Sequence, residues 1–443
     1  MTQSIPKASA PDGKNFLYHL QAANDDLLPY LEHLATYGDI VQLSVFPAYL
    51  VNSPDLVQQV LISQAKSFDK PFNFTYVIQQ MFGGDNIFTA QDAMWRVLRK
   101  ASQPALHQRQ IQNYFQIMYN SSQDMMASWF EGMQLDMMEV IGDLSLSISS
   151  QSLISHDVTS QETGDAILAM FQIFSERVPN QLPIPNWLPL ESNRRMKDAI
   201  ATLDALILPM IAERKQSDAD HHDLLSMLIK AQSEDTTGIL TDMQIRNEII
   251  ISFAAGFEVN AITTAFTLYL LLTHPTVMEK LRIEIETTLG DSVLSYDAIQ
   301  KMPYLEQVVK ESMRLYPATG IVNRRTNQAV TIGDYQIPKN AQVFVAPWTL
   351  HRRSDIFPNP EMFDPDRFSL EREKDIPKNA YIPFSTGPRV CLGNAFAMLQ
   401  IRTTLAVIIQ NFDFVLADDY IFEPFWRFST RLKHGLPLTV HRR

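Results

Sequence analysis

The segment from 242 to 273 constrains the fold of this chain more than any other feature of its sequence. Thr241 and Gln244 form a capping box at its start, and a His-Pro pair ends the apolar-rich pattern. The segment is about 32 residues long, or roughly 48 Å as an α-helix at 1.5 Å per residue. Glu258 interrupts its apolar run, which falls short of the ~18 uninterrupted apolar residues of a membrane span. The sequence therefore predicts a long helix that crosses the middle of the protein, and no membrane anchor.

The remainder of the chain is a helical majority with a little strand. Residues 91–315 have a helical pattern almost throughout, whereas 329–347 alternate with a period of two between turn residues. No repeat, low-complexity tract or flexible linker interrupts the 443 residues. We therefore expect one α+β domain, mostly α, over residues 1–443, with 1–15 as a disordered arm. A terminal hairpin is expected about His434-Gly435.

Charge and cysteine content exclude several classes of protein. A formal net charge of -12 argues against a nucleic-acid binder, which would carry a basic footprint. One cysteine excludes an intramolecular disulfide framework and a Cys-rich zinc site. The first residues contain no apolar run typical of a secretory signal, so a cytoplasmic location is expected. The cluster Asp220-His221-His222-Asp223 is interpreted as the charged first turn of a helix and not as a metal site.

The single cysteine lies in a segment whose residue types favour binding of a flat cofactor. Its sequence is Phe384-Ser385-Thr386-Gly387-Pro388-Arg389-Val390-Cys391-Leu392-Gly393. Two glycines and a proline predict an irregular loop, and a helix is expected to begin just after Cys391. The positive end of a helix dipole favours a thiolate, and a thiolate is one of the axial ligands of haem iron.

The residues of this cysteine segment resemble the haem-binding signature of the cytochrome P450 superfamily, and other motifs in the sequence agree with that resemblance. Glu311-x-x-Arg314 and the Arg367 of Pro-Asp-Arg-Phe resemble the family's structural Glu–Arg–Arg network. The resemblance extends from about Thr36 to the C-terminus. It implies a triangular helical prism with the long helix over the haem and a small β-rich lobe. It also implies haem b as cofactor, with Cys391 as the proximal iron ligand.

The resemblance further implies which residues hold the haem propionates. Trp95 and Arg99 match the family's Trp-x-x-x-Arg on a helix, for which Thr89 is the predicted cap. Arg324 and Arg389 match its other propionate arginines, and His351 is a further candidate. The signature residues expected to surround the haem are Phe384, Gly387 and Gly393.

The long helix departs from the family pattern over the oxygen-binding face. Gly256 and the acid Glu258 are present, but Val259 stands where the family usually has the threonine that helps to deliver protons. Asn260 is polar but lies about 100° further round the helix and cannot simply substitute. Protons would then come from water or from the substrate, or the enzyme would couple phenol or pyrrole radicals without inserting oxygen. A partner-independent hydroperoxide isomerase or peroxygenase is a further alternative.

The substrate pocket is assigned by correspondence with the family. Its expected residues are apolar or aromatic for the most part and predict a small, largely apolar or aromatic substrate. They are Phe72, Phe88, Ala255, Thr319, Ile321 and Phe428.

The resulting prediction is a monomeric haem-thiolate oxidoreductase of the monooxygenase type that acts in secondary metabolism. It would use O2 and electrons from a separate ferredoxin or flavodoxin, because no flavin or iron–sulfur segment is present in the sequence. Arg96, Lys100 and Arg402 are the basic residues expected to steer an acidic carrier. The competing class is a haem-free helical binding protein.

Overall fold

A computed structural model describes residues 26–43, 47–158, 161–180, 184–217, 219–290, 292–426 and 429–443. The chain divides into two compact units, each made of three separate segments. The first unit contains Met1–Phe72, Gln307–Cys391 and Phe422–His434, and the second contains Asn73–Glu306, Leu392–Ile421 and Gly435–Arg443. The single domain over 1–443 stays a prediction, and the expected arm at 1–15 lies outside the described residues.

Helices account for most of the described chain, as predicted. In chain order they are α1 Leu27–Ala35, α2 Pro54–Gln58, α3 Phe72–Phe82, α4 Asp92–Ser102, α5 Gln108–Met126, α6 Met137–Ile154, α7 Gln161–Asn180, α8 Glu191–Arg214, α9 Leu224–Ser233, α10 Asp242–Thr273, α11 Pro275–Leu289, α12 Tyr296–Gln300, α13 Pro303–Leu315, α14 Pro347–Leu350 and α15 Asn394–Asn411.

The strands are short. They are β1 Ile40–Leu43, β2 Ala48–Val51, β3 Phe68–Asp69, β4 Gln134–Asp136, β5 Val322–Thr326, β6 Val330–Ile332, β7 Tyr335–Ile337, β8 Gln342–Val345, β9 Phe412–Leu416, β10 Pro424–Trp426, β11 Thr430–Leu432 and β12 Pro437–Arg442.

The first unit is built on a five-stranded mixed sheet in the order β1-β2-β8-β5-β3. β2 and β8 pair in parallel, and the other neighbours pair antiparallel. Successive side chains of β2 point to opposite faces, so that Tyr49 and Val51 enter one apolar cluster and Leu50 enters another. The sheet is therefore covered on both faces, and β3 and β5 lie side by side at one edge.

The second unit is organised around α10, which runs from Asp242 to Thr273 as the sequence predicted. The Thr241 hydroxyl accepts the Gln244 N–H at 3.1 Å, which confirms the predicted cap. α10 packs against α6, α8 and α15. It is long and apolar enough to cross a membrane by composition, but 72% of its most apolar window is buried inside the protein, as in a core helix.

Two local predictions were wrong. Thr89 does not cap α4, because Gln91 holds that position and the Thr89 hydroxyl instead bonds Asp85 and Asn86 in the preceding turn. No hairpin forms about His434-Gly435: β11 pairs with β10, whereas β12 pairs with β4 and β9. The bonds of Thr89 are local, whereas the partners of β12 include β4, which is distant in the chain and which the local pattern does not reveal.

Candidate cofactor site

The loop that carries Cys391 is closed by its own main-chain hydrogen bonds. The Cys391 N–H donates to the Phe384 carbonyl at 2.9 Å, and the Val390 N–H donates to the Gly387 carbonyl at 3.0 Å. The cysteine is exposed and precedes α15 by three residues in the chain. This geometry presents the thiol on a fixed main-chain scaffold, as an axial metal ligand requires.

Glycine is required at position 387 by a close approach of main chain. Gly387 has φ of +77°, and a Cβ there would lie 2.0 Å from the Leu61 carbonyl oxygen. Leu61 belongs to a π-helical turn, Gln59–Ser63, in the same unit. Gly393 differs, since a Cβ at this position meets nothing within 4 Å. Position 393 therefore borders open space, where a flat group has room.

Two arginines of the first unit, Arg324 and Arg389, lie within electrostatic range of Lys70. Burial and the positive charges of Arg324 and Arg389 lower the pKa of Lys70 well below its usual range. Burial also lowers the pKa of Arg324 to about 10. A dianionic ligand placed here would offset this mutual repulsion. Arg324 and Arg389 were predicted from the sequence.

Lys70 was missed, because nothing in its local sequence reveals its surroundings. It directly follows β3, and β3 pairs with β5 so that Asp69 lies opposite Arg325. That pairing brings Lys70 to the strand that carries Arg324. In the first unit, the exposed Cys391 thiol and the cations Lys70, Arg324 and Arg389 fit a haem with two propionates.

The predicted Glu–Arg–Arg network forms in the first unit. The Glu311 carboxylate accepts both Arg314 Nε at 2.7 Å and Arg314 Nη2 at 2.8 Å. It also accepts Arg367 Nε at 3.2 Å and the Asp364 N–H at 3.0 Å. Burial raises the pKa of Glu311, and the two arginines oppose that rise. Both oxygens of the acid are thus occupied, which suits a structural role.

His351 contacts this network, and its role as a propionate partner stays a prediction. Its Nε2 accepts the Ile382 N–H at 2.8 Å, and its carbonyl accepts Arg314 at 2.9 Å. Burial, followed by the charge of Arg314, lowers the pKa of His351 to about 3, so the ring is neutral. With Nε2 as the acceptor, the neutral ring carries its proton on Nδ1, which is buried with no hydrogen-bond partner among the described atoms.

The middle of α10 carries an open stripe of small side chains. Ser252, Ala255, Gly256 and Val259 are half-buried or exposed, while most other residues of the helix are buried. Their spacing of three and four residues places them on one face. Glu258 is buried and lies off this face, so its predicted catalytic role stays a prediction.

The side of α10 next to the open stripe packs against neighbouring helices, which accounts for Gly256 and Asn260. A Cβ at Gly256 would lie 2.9 Å from the Ser149 hydroxyl on α6, so glycine permits the close helix packing. Asn260 donates to Gln400 at 2.7 Å, and Gln400 donates to Ser145 at 3.0 Å. Because its amide is occupied in this buried network, Asn260 does not replace the missing hydroxyl. This agrees with the expectation from helix geometry that Asn260, about 100° further round the helix than Val259, cannot substitute for the hydroxyl.

In the second unit, the other predicted residues are placed as follows. Trp95 and Arg99 are half-buried on α4, and their contact with a propionate stays a prediction. Phe88 is half-buried, with its ring 5.6 Å from that of Phe74. Arg402 does not belong to a docking surface, since it is 6% exposed and paired with Glu306 at 3.3 Å.

In the first unit, the predicted substrate residues differ in how far they are exposed. Phe72 is 60% exposed, and Thr319 is exposed as well. Ile321 packs against the apolar cluster on one face of the sheet. Phe428 lies outside the described residues. Sequence reasoning missed the neighbouring Trp426, whose indole would be 3.1 Å from a Cβ at Gly320.

The acidic and histidine cluster directly precedes α9 and is not its first turn, which begins at Leu224. Asp223 caps α9, accepting the Ser226 N–H at 2.8 Å, and its carboxylate pairs with Arg214 at 3.0 Å. Across the part of the chain that the structure describes, no group of three or more His, Cys, Asp or Glu side chains could hold a metal ion.

Comparison with known proteins identifies the family. A family model for cytochrome P450 matches residues 11–428. Cyclooctatin synthase of Streptomyces melanosporofaciens is 30% identical, over 90% of this chain and 88% of that protein. Pentalenene oxygenase of Streptomyces avermitilis is 27% identical, over 88% of each. The crystal structure of the cytochrome P450DA haem domain matches with a TM-score of 0.87 at 26% identity, over 100% of this chain and 98% of that one.

The fold and the cysteine loop define a haem-thiolate oxidoreductase. The chain belongs to the cytochrome P450 family, has the α+β fold of that family and uses haem b as its cofactor. The enzyme is therefore an oxidoreductase of the P450 monooxygenase class.

Proposed function

We propose that this protein oxidises a largely apolar small molecule, using O2 and electrons supplied by a separate carrier. The observation that carries the proposal is the exposed Cys391 thiol on a loop closed by its own main chain. Haem b, when bound, supplies the oxygen-activating chemistry. The protein supplies the thiolate and the charges that hold the propionates.

The residues of the cysteine loop and the cationic side chains each have a defined part in this proposal. Cys391 ligates the iron, and Lys70, Arg324 and Arg389 bind the propionates. Gly387 allows the loop to lie against the Leu61 carbonyl, and Gly393 leaves room for the macrocycle. Trp95 and Arg99 are proposed as further propionate ligands on the strength of the family motif alone.

The small side chains of α10 and the names of the relatives together support an apolar substrate. Ala255, Gly256 and Val259 offer an apolar surface with little bulk. Two relatives are named pentalenene oxygenase and cyclooctat-9-en-7-ol 5-monooxygenase, and those names denote an alkene and an alkenol. We therefore propose that the predicted class, a small and largely apolar or aromatic molecule, includes alkenes.

Spectroscopy of the reduced carbon monoxide complex tests the proposed ligand. Wild-type protein should show the red-shifted Soret band of thiolate-ligated haem, and Cys391→Ser should lose it. A band typical of histidine-ligated haem in the wild type would contradict the proposal. A colourless preparation would favour the haem-free binding protein.

Val259 favours oxidative coupling as a second candidate function. It provides no hydroxyl at the position where the family usually places one. Turnover of a phenol in ¹⁸O2 separates the two reactions: a labelled product shows oxygen insertion, and an unlabelled dimer with oxygen consumed shows coupling. Conversion of a hydroperoxide without O2 or a carrier would instead show an isomerase or peroxygenase.

A basic cleft in the second unit is the proposed contact for a ferredoxin or flavodoxin. Lys100, His107 and Arg109 line a cleft of about 520 Å³, and Arg96 is exposed on the same helix as Lys100. Charge reversal at Lys100 and Arg109 should slow reduction by an acidic carrier and flatten its dependence on salt. Reversal at the exposed Lys197 of α8 is the control. Equal effects at both places would contradict this docking surface.

A further inference from the structure

Side chains at the start of α10 hold the main chain of the segment 82–89. Their partners are main-chain atoms, so the contact fixes the path of the segment whatever side chains it carries. The bonds run from Arg246 to the Phe82 carbonyl, from Gln244 (2.9 Å) and Asn247 (3.1 Å) to the Asp85 carbonyl, and from the Ile87 N–H to Glu248 (2.8 Å).

Two glycines let the segment approach the helix this closely. Gly83 has φ of +77°, and its Cβ would lie 3.2 Å from the Arg246 guanidinium. Gly84 has φ of +150°, and its Cβ would lie 3.0 Å from the Asn247 amide. A Cβ at either position would be tighter than ordinary contacts allow, so the neighbouring side chain of α10 would have to shift, and the positive φ would be strained as well.

Glu248 stands at the N-terminal end of the open stripe on α10. Ser252 follows it by four residues, and the Ser252 hydroxyl donates to the Glu248 carbonyl at 2.6 Å. Ala255 and Val259 continue the same face. By holding the Ile87 N–H, the Glu248 carboxylate therefore brings the next residue, Phe88, to that end of the stripe.

This contact costs stability, which indicates a purpose other than holding the fold together. Glu248 is 1% exposed, and burial raises its pKa to about 8. Its Oε1 accepts Ile87 and Gln244, while Oε2 is buried with no hydrogen-bond partner among the described atoms. An incompletely satisfied buried carboxyl destabilises the folded state.

We propose that Glu248 is a positioning residue for substrate selection, because it fixes Ile87 and Phe88 at the N-terminal end of the open stripe. The inference rests on the proposed function, since it specifies how the pocket of that enzyme chooses its substrate. Glu248 itself touches neither substrate nor cofactor in this proposal.

The test compares binding of imidazole and 4-phenylimidazole to the purified holoenzyme by spectral titration. The phenyl ring of 4-phenylimidazole is expected to contact the pocket wall formed by Ile87 and Phe88, whereas the smaller imidazole is not. In Glu248→Ala the affinity ratio of the phenyl compound to the parent should fall about fivefold, the equivalent of one lost hydrogen bond. Hydrogen exchange at the Ile87 amide of the same variant should become faster. Glu248→Gln keeps an acceptor oxygen and should restore both.

Glu284 provides a matched control, because its half-buried carboxylate accepts the main-chain N–H groups of Tyr304 (2.7 Å) and Leu305 (2.8 Å). Glu284→Ala should lower stability and leave the affinity ratio as in the wild type. A ratio in Glu248→Ala that is unchanged or increased, or an equal fall in Glu284→Ala, overturns the inference.

A second variant covers failure of Glu248→Ala to fold. Asn247→Ala removes one bond to the Asp85 carbonyl without changing charge, and it should lower the ratio in the same direction. No fall in Asn247→Ala would overturn the inference in that case. Wild-type protein that binds no haem would contradict the proposed function, whereas the outcomes above concern Glu248 alone.

Discussion

The loop around Cys391 and the middle of α10 carry different parts of the predicted chemistry, and they are constrained in different ways. Main-chain atoms fix the loop: Gly387 lies against the Leu61 carbonyl, and the Cys391 N–H bonds the Phe384 carbonyl. The middle of α10 is constrained by side-chain size. A Cβ at position 256 would lie 2.9 Å from the Ser149 hydroxyl, so glycine is needed there. Val259 is half-buried and is under no such close constraint.

This difference explains why one region matches the family pattern and the other departs from it. A main-chain contact leaves no freedom in the residue type, so the loop keeps a recognisable motif. A size limit allows a different chemistry in nearly the same volume: valine and threonine have similar shapes, and the threonine hydroxyl fits where it finds a hydrogen-bond partner. Substitution at position 259 is therefore compatible with the fold, while its chemical consequence is large.

The largest expected effect is on the free energy of unfolding. It tests how much the Glu–Arg–Arg network stabilises the first unit, which carries the cysteine loop. Glu311→Ala leaves the guanidinium groups of Arg314 and Arg367 buried without their carboxylate. We expect a loss of about 3–5 kcal/mol in the free energy of unfolding, measured with urea. The control is Glu373→Ala, whose more exposed pair with Lys310 is worth about 0–1 kcal/mol. Similar losses in the two variants would contradict the structural role of the network.

The next prediction separates a main-chain clash from a side-chain clash. Gly387→Ala sets a Cβ against the Leu61 carbonyl, and we expect loss of haem together with about 3 kcal/mol of stability. Gly435→Ala has a similar φ of +62°, but its Cβ would meet the Asp136 carboxylate, a side chain that can move. That variant should keep its haem content, measured from the Soret absorbance. Haem loss in both variants would break the comparison.

The sequence predicted those features whose determinants are local. α10 was predicted because its cap and its stop lie next to its apolar pattern, and Glu311 with Arg314 because three residues on a helix share a face. Lys70 was not predictable, since its environment depends on the pairing of β3 with the distant β5. The burial of Arg402 was missed for the same reason, because it pairs with Glu306 on another helix.

The next prediction concerns the pH dependence of stability. It tests whether α10 accommodates a buried ionisable side chain, Glu248, which the cysteine loop would not. The pKa of Glu248 is raised to about 8 in the folded state, against about 4.5 when unfolded. The folded state therefore binds the proton more tightly, and the associated stability is complete below pH ~4.5 and is lost as the pH rises through ~8. We expect wild type to lose on the order of 2 kcal/mol relative to Glu248→Gln across that range. Parallel pH profiles of unfolding free energy would contradict the raised pKa.

The smallest effect on stability, and the sharpest test of the comparison, is expected from Val259→Thr. Threonines elsewhere on α10 donate to the carbonyl four residues before them: Thr263 bonds Val259 at 2.9 Å and Thr267 bonds Thr263 at 2.7 Å. A threonine at 259 can bond the Ala255 carbonyl in the same way, so its hydroxyl need not be buried unpaired. We expect the change in unfolding free energy to stay within about 1 kcal/mol, below the ~1–3 kcal/mol of an unsatisfied hydroxyl.

The chemical effect of Val259→Thr should be much larger than its effect on stability, because the open stripe gains a group that can donate and accept protons. Product ratio, hydrogen peroxide yield and ¹⁸O incorporation should be measured together on both proteins, with a phenol and an alkene as substrates. We expect the variant to increase the oxygenated fraction or to reduce the peroxide released per electron pair. If all three quantities match those of the wild type, position 259 has no part in proton delivery, and size alone governs the middle of α10. If the wild type consumes oxygen and yields an unlabelled coupled product while the variant yields a labelled one, the missing hydroxyl selects the reaction.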